Sequence, residues 1–185
     1  MWSSEVTNMI ITGIWETLYM TLVSTLVGYV IGLPMGIILT VSDKDGIKPN
    51  AVLYKILDVI ANIVRSVPFI ILLVLLIPFI RLVVGKSYGS TATIVPLVIA
   101  AAPYIARMVE SSLKEVDAGV IEAARSMGAS NFTIITKVML VEARTSLLVG
   151  ATITLGTILG YSAMSGAVGG GGLGAIAIRY GYTRW

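Results

Sequence analysis

Few side chains in this sequence are suited to chemistry, and what is missing narrows the choices first. There is no cysteine and no histidine, which removes disulfides, thiolate zinc sites, and Ser-His and Cys-His nucleophiles. Ser111-Ser112-Leu113-Lys114 matches S-x-x-K but lacks the companion motifs of that chemistry, so it reads as a chance match. Gly169-Gly170-Gly171-Gly172-Leu173-Gly174 fits G-x-G-x-x-G, yet no acid follows Glu142 to hold a ribose and no Lys follows to make a P-loop. A flexible external turn is the expectation there. Arg65 sits in an apolar stretch, where a central Arg costs about 2.5–3.5 kcal/mol. Asp58, seven residues earlier, shares its face but lies roughly 10 Å away by helical rise. Two readings of Arg65 stay open, a structural pair inside a bundle or a place near a solute path. An intramembrane protease would need paired Asp residues, and Asp58 is the only acid well inside such a stretch.

The elements that must position these groups are set by composition. Of 185 residues, 56% are hydrophobic and 12% charged, with mean hydropathy +0.92. Soluble domains carry about 25% charge. A soluble enzyme and a disordered chain are both excluded, and membrane lipid is a partner. The net charge of +3 comes from Lys and Arg placed between apolar runs, as topology signals and not as a nucleic-acid footprint. The first basic residue is Lys44, so the N-terminus lacks the basic start of a cleaved leader.

A spanning helix needs about 20 apolar residues. Four stretches qualify: Thr17 to Val41, about Ile56 to Ile80, about Thr91 to Met108, and Thr145 to Val168. Lys44, Lys48 and Lys55 follow the first; Arg81 and Lys86 follow the second. Arg107, Lys114, Arg125, Lys137 and Arg144 cluster after the third, and Arg179 and Arg184 follow the fourth. The alternation puts the segments after the first and third spans in the cytoplasm and the N-terminus outside; four spans would leave Trp185 outside too. Gly28, Gly32 and Gly36 recur every fourth residue, and Gly156 and Gly160 repeat the spacing. Such faces let a neighbouring helix approach closely, either as fixed packing or as a moving joint. Pro34, Pro68, Pro78, Pro96 and Pro103 add kinks.

The segment from about 114 to 144 is too regular for a simple turn. Asp117 is placed to cap a helix from Ala118 that stops at Gly128, and Ser130 to cap a second from Asn131. On the first, Val120, Ala124 and Met127 would share a face; on the second, Phe132, Ile135 and Met139 would. Asn131-Phe132-Thr133 is a sequon, but on the cytoplasmic side.

Glu122-Ala123-Ala124, then Gly128, then Val138-Met139-Leu140 resembles the EAA loop of ABC-importer permeases. The likeness runs from roughly Trp15 to Tyr182. Arg65-Ser66-Val67-Pro68-Phe69 looks like the amino-acid-type permeases, and Tyr161-Ser162-Ala163-Met164 with its glycine run is similar to those importing methionine. The resemblance implies an all-α polytopic type I permease bundle, a single membrane domain over residues 1–185, in a bacterial plasma membrane. It implies alternating access with no chemistry and no cofactor on this chain, ATP being bound by two copies of a partner subunit. Glu122, Ala123, Ala124, Arg125, Met127 and Gly128 would contact that subunit. A solute-binding lipoprotein and a second copy of the chain complete the expected partners. Two departures stand out: the family has Pro where Val141 and Thr145 stand, which predicts a looser corner, and its fifth span is missing after Trp185.

Tyr161, Ser162, Met164, Ser165 and Arg65 are the candidates for a solute path or gate. For the hydroxyls of the fourth span, Thr152, Thr154 and Thr157 included, hydrogen bonding between helices is the competing reading. Methionine has as alternatives another amino acid or an osmoprotectant. The competing class is an ATP-independent channel or carrier, which would have no use for the Glu122-to-Gly128 loop.

Overall fold

The computed structural model describes residues 4–182, so Arg184 and Trp185 lie outside the described residues. Every regular element among these residues is helical. The long ones are α1 (Ser4–Ser42), α2 (Ala51–Ser66), α5 (Ser90–Lys114) and α9 (Arg144–Ser165). Shorter helices join them: α3 (Phe69–Leu75), α4 (Ile77–Val84), α6 (Ala118–Ser126), α7 (Asn131–Thr133), α8 (Leu140–Glu142) and α10 (Gly172–Gly181). Among the described residues three helices are long and apolar enough to cross a membrane, Ser4–Ser42, Ser90–Lys114 and Arg144–Val168, the last including a 3₁₀ turn, and the α2–α3 pair makes a fourth if taken as one broken span. α1 begins well before Thr17. Its 39 residues reach about 58 Å, roughly twice the hydrocarbon thickness.

The expected second span is not one straight helix. It breaks at Val67-Pro68, and α2 and α3 are bent by 102° at the break. Proline disfavours helical backbone in the residue before it, which sequence periodicity does not register. A left-handed Gly85 (φ 80°) then ends α4.

One compact unit comprises Met1–Gly28, Ser66–Ala101 and Leu155–Trp185. Its core includes Met20, Leu72, Leu73, Ile80, Leu97 and Ile158, with the Phe69 and Tyr161 rings stacked at 4.7 Å. The glycine run, expected as a flexible turn, is a bonded corner. Gly172 N–H donates to Glu16 Oε2 at 2.6 Å, and Leu173 N–H to Thr17 Oγ1 at 2.9 Å. Gly170 N–H donates to Ser165 O at 2.9 Å. Glu16 and Thr17 of α1 thus each accept from one of the donors that the first turn of α10 leaves open.

The second unit comprises Tyr29–Arg65 and Ala102–Thr154. Gly32 and Gly36 of α1 lie against α5. A β-carbon at Gly32 would stand 2.6 Å from Ala102 O, and one at Gly36 2.6 Å from Ala106 O. Leu39, Ile105, Val109 and Leu113 are buried in this unit. By contrast, Gly156 and Gly160 of α9 are exposed, and a β-carbon there would meet nothing within 4 Å among the described residues. Their expected close packing is absent from the described chain.

Candidate functional site

The segment from about 114 to 144 begins with a capped helix. Asp117 Oδ1 accepts from Gly119 N at 2.8 Å and from Val120 N at 3.3 Å, satisfying donors that the first turn of α6 leaves open. Its far end closes with Gly128 at φ 81°. Gly128 N donates to Arg125 O at 3.0 Å and Ala129 N to Ala124 O at 3.1 Å, the two bonds of a Schellman motif. The predicted start and stop of this helix are both present.

The burial expected along its one face is only partly there. Ala124 is buried, but Met127 sits at the C-cap and is 82% exposed. Val120 is also exposed. The second helix departs further. Ser130 Oγ accepts from Thr133 N at 3.2 Å as expected, but Ile134–Met139 is π-helical. Buried residues therefore recur five apart, Ile134 at 0% and Met139 at 2% exposure, whereas Phe132 is 75% exposed. Met139 is thus buried as expected and Ile135 half-buried, while the wider turn brings Ile134 into the buried face that a 3.6-residue pattern leaves out.

Glu122 and Ala123 are exposed on α6, and Glu122 stands at the rim of a cleft of about 690 Å³. Asp43, Asp45, Lys114 and Arg125 also line it. Arg125 is exposed, yet its Nη2 donates to Ile47 O at 2.8 Å. No proline stands at Val141 or Thr145, and backbone bonds run on through the corner: Ala143 N to Met139 O and Leu147 N to Ala143 O, each 2.9 Å.

Beside α6 lies a charge network that the sequence reading missed. Glu110, almost fully buried, accepts from Arg107 Nη1 at 2.6 Å, Lys114 Nζ at 2.8 Å and Tyr54 Oη at 3.2 Å. Arg107 also pairs with Asp58, and Lys114 with Asp43 at 2.7 Å. The Lys114 hydrogen bond holds the Asp43 carboxyl below its ordinary range, against the opposing effect of burial. Asp58 is thus committed to Arg107, not to Arg65, which is exposed in the last turn of α2. The signal was present: Arg107, Glu110 and Lys114 alternate in sign along one face of α5.

The proposed path residues divide by environment. Ser162 and Ser165 are buried and donate to carbonyls of their own helix, Leu159 O and Ser162 O. Thr152 and Thr154 do the same with Leu148 O and Gly150 O, and Thr154 also hydrogen-bonds the Tyr29 side chain of α1, one bond between helices of the kind the competing reading expects. Tyr161 is half-buried on Phe69, and Met164 is 50% exposed.

Residues 28–183 match the family described as the binding-protein-dependent transport system inner membrane component. The chain belongs to that family. It is 48% identical over its whole length to the probable D-methionine transport system permease protein MetI of Vibrio cholerae, covering 82% of that protein. Over 85% of its length it is 56% identical to the D-methionine transport system permease protein MetI of Salmonella typhimurium, covering 73% of it. A chain from inward facing conformations of the MetNI methionine ABC transporter superposes with a TM-score of 0.96 at 54% identity, over 98% of this chain and 84% of that one.

Proposed function

We propose that this chain is the membrane permease subunit of an ATP-driven methionine importer, working by alternating access and catalysing nothing itself. The observation that carries the reading is the corner at Gly128. It presents Glu122, Ala123, Met127 and Phe132 on a bonded scaffold, with two large apolar side chains left open. Exposed apolar groups beside a charge are what a protein partner's groove would cover. Methionine as cargo draws support from relatives at 48% and 56% identity named for D-methionine transport. ATP would be bound by two copies of the partner subunit, and a solute-binding lipoprotein would deliver cargo. The path would lie between two copies of this chain, with Tyr161, Met164 and Arg65 as candidate lining. The basic residues around the coupling segment favour its cytoplasmic placement in a bacterial membrane, with the N-terminus outside.

The test is reconstitution. The chain, co-expressed with an ATPase and a binding protein, is expected to co-purify with the ATPase. In liposomes it should take up D- or L-methionine only when ATP and loaded binding protein are present. Failure to hold any nucleotide-binding subunit would point to a channel or carrier. Uptake competed better by another amino acid or an osmoprotectant would change the cargo and keep the class.

A further inference from the structure

Two bonds fasten the coupling region to one short segment, the loop between α1 and α2. Lys114, the last residue of α5, pairs with Asp43 at 2.7 Å. Arg125, in the last turn of α6, donates to Ile47 O at 2.8 Å. Only Glu115, Val116 and the capping Asp117 separate α5 from α6, so the two ties close a ring around the 690 Å³ cleft.

The segment they grip is itself firmly bonded. Asp43 N extends the α1 ladder to Leu39 O at 3.1 Å, and Gly46 N closes a turn on Asp43 O at 2.9 Å. Lys48 N and Asn50 N return to Val41 O and Ser42 O at 3.0 and 2.9 Å. Asn50 Oδ1 then accepts from Leu53 N in the first turn of α2 at 3.1 Å. A side chain at Gly46 would run into Thr40 O. The loop is therefore continuous with the end of α1 and the start of α2, and tightly folded between them.

On the reading of α6 as the element an ATPase moves, we propose that residues 43–47 are a second lever of coupling. Lys114 and Arg125 are positioning residues: they pass displacement of α6 to α1 and α2 in addition to the covalent route through α5. Two separated ties matter because one allows pivoting about it, whereas two hold an angle. Arg125 thereby gains a role within the chain beside the one expected of it toward the partner.

Asp43→Ala tests this in the reconstituted complex of permease, ATPase and binding protein, because it cuts one tie and leaves Glu110 with Lys114. Methionine taken up per ATP hydrolysed should fall about fivefold, the low end of coupling between sites, while complex assembly is unchanged. Asp43→Glu should recover most of the ratio. An unchanged ratio, or parallel loss of uptake, hydrolysis and assembly, would overturn the proposal. A second measurement does not depend on that variant folding. The chain has no cysteine, so spin labels on Asp45→Cys and Ala118→Cys would report the distance across the cleft. That distance should hold between nucleotide-free and ATP-bound states; a change of more than about 5 Å, roughly one helical turn, would overturn the lever. A wild-type complex with no ATP-driven uptake would fail the permease reading first, whereas normal wild-type transport with an unchanged Asp43→Ala ratio fails this inference alone.

Discussion

Gly32 and Gly36 in α1 have the same four-residue spacing as Gly156 and Gly160 in α9, yet their surroundings are opposite. The first pair meets the backbone of α5, where a β-carbon would lie 2.6 Å from a carbonyl oxygen. Around the second pair the described chain offers no neighbour within 4 Å. Spacing puts small residues on one face; it does not supply the helix that fills the face. Gly128 adds a third case, needed for its left-handed backbone and not for lack of room, since nothing crowds it.

The comparison can be broken by substitution. Gly36→Val should have the largest effect, because its side chain must displace both Ala106 O and Val109. Overpacking of this kind costs about 1–3 kcal/mol or more, and loss of folded protein from the membrane fraction would register it. Wild-type abundance and melting would mean that the contact between α1 and α5 is dispensable.

Gly172→Ala comes next. It combines a φ of 72° with Thr17 Oγ1 at 2.7 Å and Met20 Cε at 2.9 Å from the added carbon. The backbone strain alone is about 1–2 kcal/mol, so thermal unfolding in detergent should show a larger loss than for Gly128→Ala.

Gly128→Ala meets open space and should cost about 1 kcal/mol from its backbone alone. The bulkier Gly128→Val should also misaim Glu122 and Ala123, so uptake should collapse while membrane abundance stays near wild type. Normal uptake at normal abundance would make the corner a mere connector.

The smallest effect belongs to Gly156→Ala and Gly160→Ala. With nothing to strike, they should be neutral or should gain up to about 1 kcal/mol in helix propensity. If either instead abolishes assembly, the exposed face of α9 is packed against a partner, and the contrast with α1 narrows.

Much of the site was legible because it depends on local chemistry. Asp117, Gly128 and Ser130 act on backbone groups within a few residues of themselves, so type and spacing were enough to place both caps and the corner. The face of the second loop helix was only partly placed because a π-helical turn leaves no periodic trace until it has shifted the phase. The break at Val67-Pro68 was carried by a single proline inside an otherwise apolar run. The role of Glu16 could not be read at all, because its acceptor geometry depends on Gly172, 156 positions away.

The sequence by itself determined the solvent, the helical class, the apolar stretches and the corner at Gly128. Each follows from composition or from interactions between residues close in the chain. Only the tertiary structure decided which glycine face is filled, that Asp58 answers Arg107, and that Lys114 and Arg125 grip the loop between α1 and α2. Those outcomes depend on which helices are brought side by side. A helix carries its own periodicity in its sequence, but the partner of each face is set by packing the rest of the chain against it.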